Sequence, residues 1–361
     1  MKVLLVVGAR PNFVKIAPVI REMEKRPQTY KNLLVHTGQH YDDNMHQIFF
    51  DELELAQPGI SLDVGIGTHA WQTAQVMLRF EPIAVDYKPD WVLVVGGVDS
   101  TLACTLVCAK LGIKVAHIEA GLRSFDRTQP EEINRVLIDQ TADILFTPTS
   151  DADDNLMLEG IDSEKIHFVG NIIIDTLVRL LPKAKQRWPQ LRKKFNLGHY
   201  LLVTLNRSAN IDDTQTLSEI LQALAKVSRT IPVLFPVRAK THQRITDNNL
   251  LPKSGNLNFV EPFGYLDFLA LQAHATLVLT DSGEVQEETT YLGISCLTIG
   301  RNTAHSITMT MGTNKLVPSE HKALIQAVQA TLADFIDPST YRRPELWDGG
   351  TAGRILDVLA Q

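Results

Sequence analysis

Lys114-Val115-Ala116-His117-Ile118-Glu119-Ala120-Gly121-Leu122-Arg123-Ser124 leads into Phe125-Asp126-Arg127-Thr128-Gln129-Pro130-Glu131-Glu132-Ile133-Asn134-Arg135. The apolar opening reads as a buried strand. The pattern breaks at Gly121 and restarts as a helix at Pro130, a favoured first helical position. Carboxylates and arginines therefore crowd the C-terminal end of a strand, where open α/β sheets bind their ligands. Glu119, between an apolar strand and a glycine turn, reads as functional. Glu131, Glu132 and Arg135 admit two readings: ligand-site residues, or first-turn acids and an i,i+4 pair on a solvated helix.

Working outward, short apolar runs alternate with amphipathic segments from Lys2 to about Phe168. Strands are expected at 2–7, 32–37, 91–96, 114–118, 143–146 and 166–168, with helices between them, such as 12–25 and 100–111. That rhythm predicts a parallel sheet with helices on both faces. A helical stretch from Asn171 to about Phe195 carries Lys183, Lys185, Arg187, Arg192, Lys193 and Lys194. It reads as a hinge with a solvated charged face. A second series starts at Tyr200, with strands at 201–205, 232–235, 257–260, 276–279 and 295–298. Its helices include 213–228, 265–273, 284–292 and 320–334. The expected architecture is α/β: two Rossmann-like, doubly wound domains facing a central cleft, as in B-type glycosyltransferases. The expected domains are 1–175 on the sugar side and 176–348 on the nucleotide side, with a short C-terminal helix in 349–361 placed to pack back towards the first domain.

Composition excludes several classes. The chain has 361 residues, 44% hydrophobic and 21% charged, with net charge −6. No basic stripe points to nucleic acid or an anionic membrane. No apolar run approaches membrane-spanning length, and the opening apolar run is too short for a signal-peptide core. Three cysteines cannot all pair, which suits free thiols in a reducing cytoplasm rather than a metal site.

Gly8-Ala9-Arg10-Pro11 ends the first strand and opens a helix, so the helix N-terminus and Arg10 make an anion site. It is not a dinucleotide fingerprint, and no nicotinamide cofactor is indicated. Lys15, taken alone, reads as a surface lysine. Thr280-Asp281-Ser282-Gly283 mirrors this feature in the second half. Ser282 or Asp281 suits an N-cap, and a Ser-Gly turn also cradles phosphate. Glu288, one turn further on, is placed to accept from ribose hydroxyls.

Assembled, these residues resemble the non-hydrolysing UDP-N-acetylglucosamine 2-epimerases over nearly the whole chain. The likeness lies in Gly8-Ala9-Arg10-Pro11 with Lys15, Thr37-Gly38-Gln39-His40-Tyr41, the His117–Arg135 block and Gly170-Asn171. It continues in Asp281-Ser282-Gly283 with Gln286-Glu287-Glu288, and in Gly312-Thr313-Asn314. The resemblance implies inversion at carbon 2 of UDP-GlcNAc to give UDP-ManNAc, by elimination and re-addition of UDP, with no redox cofactor and no metal. By position it implies proton handling by Glu119 and Glu131; Lys15 and Asp99 join them as catalytic candidates, although Asp99, two residues past the family's aspartate position, points elsewhere unless the loop is re-registered. It implies nucleotide or sugar contacts by Arg10, Lys15, Ser282 and Glu288, with Tyr265 near the uracil; His40, Arg123, Arg135, Arg207, Arg238 and Gly283 are further candidate substrate contacts. It further implies a UDP-sugar and UDP as ligands and a homodimer.

The chain departs from the family pattern at the site itself. Gly97 stands where the family has Asp, Asn206 where it has His, and Glu284 where the phosphate turn has a second Gly. Arg238 replaces a His, Ala304-His305-Ser306 replaces Glu-Arg-Pro, and Trp71 stands where many relatives carry Glu. Asparagine cannot hand over a proton at neutral pH. Loss of a general acid or base typically costs about 10²–10⁴-fold. Alongside the epimerase reading stand two others on the same scaffold: a glycosyltransferase or nucleotide-sugar hydrolase, and a non-catalytic nucleotide-sugar binder.

Overall fold

The computed structural model describes residues 1–38, 48, 50–251, 256–334 and 341–361. The chain divides into two units, Met1–Arg179 with Glu345–Gln361, and Leu180–Pro344.

The first unit holds a seven-stranded parallel sheet. Its strands are β1 (Lys2–Val7), β2 (Lys31–His36), β3 (Ile60–Ser61), β4 (Trp91–Val95), β5 (Lys114–Ile118), β6 (Ile144–Thr147) and β7 (Ile166–Phe168). They lie in the order β3-β2-β1-β4-β5-β6-β7. Central strands such as Val3-Leu4-Leu5-Val6-Val7 are apolar throughout because helices cover both faces, leaving no solvated side for polar alternation. The C-terminal helix Thr351–Leu359 packs on this unit. Its first N–H groups, of Thr351 and Ala352, donate to Asp175 at 3.1 and 2.8 Å, and Tyr30 Oη donates to the Leu356 carbonyl at 2.5 Å.

The second unit holds six parallel strands: β8 (Leu201–Thr204), β9 (Val233–Pro236), β10 (Leu257–Val260), β11 (Leu277–Thr280), β12 (Cys296–Ile299) and β13 (Asn314–Val317). Their order is β10-β9-β8-β11-β12-β13. Leu201, Val203, Phe235, Leu277, Leu279 and Leu297 pack with Ile220, Leu224 and Leu324 of the covering helices into one core. The strands expected from the sequence are present with ends moved by a residue or so. β3 and β13 were not anticipated: one has two residues, and the other, Asn314-Lys315-Leu316-Val317, begins with two polar ones. The helix Ile172–Phe195 contains the division between the units, and its Lys183, Lys185, Arg192, Lys193 and Lys194 are exposed.

Strand order locates the ligand edges. In the first sheet the chain runs outward from β1 to β3, then returns to β4 and runs the other way. The loops after β1 and β4 therefore part at the carboxyl edge. In the second sheet β8 and β11 form the same switch point. Open α/β sheets bind ligands in these crevices.

Candidate active site

At the first switch point Asn12 ties the two loops together. Its Oδ1 accepts from Gly8 N (3.2 Å) and Ala9 N (2.9 Å), while its Nδ2 donates to the Val95 carbonyl (3.1 Å). The helix Arg10–Glu24 begins on Ala9 without a side-chain cap, and Asn12 reaches back to satisfy the N–H groups of Gly8 and Ala9 just before it. One turn on, Lys15 Nζ lies 2.7 Å from Glu119 Oε2, with both side chains buried. The reading of Lys15 as a surface lysine is corrected by this pair. Glu119 itself holds φ 71°, a left-handed conformation for a non-glycine residue. Strain of this kind, of order 1–3 kcal/mol, gathers at active sites.

A buried network supports that strained residue. Asp139, on the helix Pro130–Thr141, faces His117 Nδ1 at 2.6 Å, Arg123 at 2.7 Å and the Gly121 N–H at 3.1 Å. Burial alone would raise the Asp139 pKa, but His117 and Arg123 outweigh it and hold the carboxyl below the usual range. His117 Nε2 donates to the Gly96 carbonyl at 3.1 Å, linking the ends of β4 and β5. Gly121 (φ 79°) must be glycine, since a Cβ there would sit 2.3 Å from the Ala152 carbonyl oxygen. Arg123, expected to contact substrate, is buried and paired with acidic side chains. Its Nε and guanidinium nitrogens donate to both oxygens of Glu159, to Asp139 and to the Leu122 carbonyl, beneath the surface.

Of the neighbouring acids in this helix, Glu131 is exposed and Glu132 is buried. Glu132 clasps the loop before it, accepting from Ser124 N, Ser124 Oγ and Phe125 N, each at 2.9 Å. Arg135 pairs with Glu132 at 2.5 Å. Burial opposes ionisation of Glu132, but the Ser124 N–H and Arg135 prevail and its pKa is lowered. Gly97 is enclosed by this helix: a Cβ at 97 would lie 2.7 Å from Arg135 Cγ and 2.9 Å from the Glu131 carbonyl oxygen. Asp99, at the start of the helix Asp99–Leu111, is buried. Its Oδ1 accepts from Asn134 Nδ2 at 3.0 Å, and Oδ2 lies 2.7 Å from His69 Nδ1. The Arg10 side chain and all of His40 lie outside the described residues.

The second switch point is clasped by Asp281. It accepts from Asn206 N (2.8 Å), Arg207 N (3.0 Å) and Asn210 Nδ2 (3.0 Å), binding the loop after β8 to the end of β11. Ser282 precedes the helix Gly283–Leu292 but does not cap it; its Oγ donates to Glu284 Oε2 at 2.7 Å. His305 packs against Gly283, where a Cβ would meet Nε2 at 2.2 Å, and its Nδ1 lies 2.9 Å from Glu287 Oε1. Glu284, which stands where the family's phosphate turn has a second Gly, is thus turned towards Ser282 and paired with its hydroxyl. Glu288 is buried and accepts from Tyr265 Oη at 2.8 Å. Burial, countered in part by Tyr265 and increased by Glu284, pushes its pKa up to about 8. Tyr265 and Glu288 thus meet inside this unit. Arg238 and Arg301 are exposed after β9 and β12.

Sequence reasoning passed over Asn12, His69 and Asp139. For Asp139 a signal existed, since it falls beside Ile138 on the buried side of an otherwise solvated helix. Among the described residues, no group of three His, Cys, Asp or Glu is placed to hold a metal ion.

Two parallel-sheet units, each with polar clasps at its switch point, define a Rossmann-like α/β protein with a ligand crevice expected at each switch point. The family model for UDP-N-acetylglucosamine 2-epimerase matches residues 21–360. The chain belongs to the UDP-N-acetylglucosamine 2-epimerase family. It is 40% identical over 339 residues to the UDP-N-acetylglucosamine 2-epimerase of Methanococcus maripaludis, covering 92% of each chain. It is 37% identical over 365 residues to the UDP-2,3-diacetamido-2,3-dideoxy-D-glucuronate 2-epimerase of Pseudomonas aeruginosa, covering 100% of each. Its fold matches the crystal structure of Methanocaldococcus jannaschii UDP-GlcNAc 2-epimerase in complex with UDP-GlcNAc and UDP, with TM-score 0.92, 39% identity and 99% of each chain covered.

Proposed function

We propose that this protein is a sugar-nucleotide 2-epimerase, an isomerase that interconverts UDP-GlcNAc and UDP-ManNAc. The observation that carries the reading is the buried Lys15–Glu119 pair at the carboxyl end of β5, with Glu119 held in a left-handed conformation. Removing the proton from C2 while the C1–O bond breaks gives a glucal and UDP. Return of UDP to C1 with a proton delivered to the other face of C2 completes the inversion. No hydride moves, so no redox cofactor is needed. Glu119 is assigned a proton-carrying role, with Lys15 fixing its position and Glu131 exposed nearby. The first unit is assigned the sugar chemistry and the second the nucleotide, through Arg207, Arg238 and the turn at Ser282 and Gly283.

Two further assignments belong to this reading. A homodimer is supported by an exposed apolar stripe on the helix His69–Tyr87, where Trp71, Leu78 and Val85 recur every seven residues at 43, 66 and 47% exposure. A cytoplasmic location is supported by three free, buried cysteines, Cys104, Cys108 and Cys296. Among the described residues no helix is long and apolar enough to cross a membrane.

Incubation with UDP-GlcNAc in D2O, followed by NMR, tests the function. C2 exchange with appearance of the manno epimer is expected; binding with the C2 proton retained rejects it. One observation favours a second reading, a nucleotide-sugar binder without turnover: Ser282 spends its hydroxyl on Glu284 at the phosphate turn. Binding without exchange would establish that alternative.

A further inference from the structure

Inversion at C2 needs two proton carriers on opposite faces of the ring; Glu119 serves one, and Glu131, which the resemblance offers for the other, is exposed on the first turn of the helix Pro130–Thr141, without the buried setting of Glu119. Gly97 has no side chain to offer, and Asn206 has no proton to exchange at neutral pH. Among the described residues, the first unit presents one further carboxylate–imidazole couple at the carboxyl edge of its sheet. His69 opens the helix His69–Tyr87, and Asp99 opens the helix after β4. Helix N-termini that follow parallel strands stand at that edge, and a 2.7 Å contact joins these two across it.

The couple has the layout of a positioned general base. Asp99 is buried, and its second oxygen is occupied by Asn134, which also donates to the Gly97 carbonyl at 3.0 Å. The carboxylate therefore cannot rotate away without losing a hydrogen bond. As an acceptor at Nδ1 it fixes the tautomer that leaves the Nε2 lone pair available. The His69 side chain is 67% exposed against 7% for Asp99, so the ring is presented outward from a buried support. Asn134 connects the couple to the backbone at Gly97, and His117 connects the next residue back, Gly96, to the network under Glu119.

We propose that His69 is the second proton carrier of the epimerisation and that Asp99 is its positioning residue, an inference that rests on the epimerase reading above. In one direction Nε2 takes the C2 proton, the C–H electrons form the C1=C2 bond, and the C1–O electrons leave with UDP. In the other, the Nε2–H returns a proton to C2 as the UDP oxygen re-forms its bond to C1. One proton leaves C2 and one arrives, both carriers reset by exchange with water, and nothing is oxidised or reduced.

The test combines ring NMR with C2 exchange kinetics on the full chain. With 15N-labelled histidine, saturating UDP-GlcNAc is expected to move the His69 ring resonances, assigned through His69→Gln. That variant is expected to lose C2 exchange by roughly a hundredfold or more with KM little changed. His69→Gly is expected to regain part of the rate when imidazole is added, and Asp99→Asn to lower kcat rather than raise KM. Wild-type exchange in His69→Gln, unmoved ring resonances, or no imidazole rescue of a folded His69→Gly would each overturn the proposal while leaving the epimerase reading standing. If wild-type protein binds UDP-GlcNAc without C2 exchange, the epimerase reading fails and the role of His69 falls with it.

Discussion

Lys15 Nζ and Glu119 Oε2 stand 2.7 Å apart, although 104 residues separate them in the chain. Both side chains are nearly sealed from solvent, at 7 and 4% exposure. A buried ion pair of this kind adds little net stability over an apolar pair, but removing one partner strands a charge. Lys15→Met is therefore expected to lose about 3–5 kcal/mol in urea unfolding. The double variant Lys15→Met with Glu119→Gln should recover part of that loss while remaining without C2 exchange. Equal stability of Lys15→Met and wild type would mean that the pair is not buried in solution.

Glu288 gives a pH signature. Its folded carboxyl keeps its proton up to about 8, against 4.5 for an unperturbed one. Between those values the folded state binds more protons than the unfolded state. This contribution is fully present below the lower value and is lost as pH rises through the upper, at most about 1.4 kcal/mol per unit. Denaturant unfolding across that window should show Glu288→Gln with a flatter profile, overtaking wild type on the alkaline side. Parallel profiles for the two proteins would contradict the raised pKa.

Restoring the family's aspartate at position 97 should not restore its chemistry. A Cβ there meets the Glu131 carbonyl oxygen at 2.9 Å, which is backbone and cannot swing aside, as well as Arg135 Cγ at 2.7 Å. Gly97→Asp is expected to destabilise by about 1–3 kcal/mol, as overpacking does. Calorimetry would show a lowered Tm, and C2 exchange should not rise even when Asn206→His is added. An unchanged Tm with faster exchange would show that the helix Pro130–Thr141 yields at little cost.

Leu78 lies at the centre of the exposed stripe and is 66% exposed in the single chain. If the proposed homodimer forms through this stripe, Leu78→Glu should leave the fold and its Tm unchanged while shifting the mass seen by light scattering from dimer to monomer. Dimers that persist in this variant would place the interface elsewhere.

The two βα series, the strand leading to Glu119, the break at Gly121 and the helix start at Pro130 were all legible in the chain itself. Apolar runs, helical periodicity and turn residues act over a few neighbours, so one sequence displays them directly. The meeting of the loops after β1, β4 and β5 is different, because sheet order brings together segments far apart in sequence. Only that order buries Lys15 on Glu119, turns Arg123 inward to Asp139 and Glu159, sets Asn12 across the first switch point and stands His69 against Asp99. Local propensity determined which segments become strands and helices. Which charged groups face one another, and hence what the site can do, was decided by long-range packing that no short window of residues records.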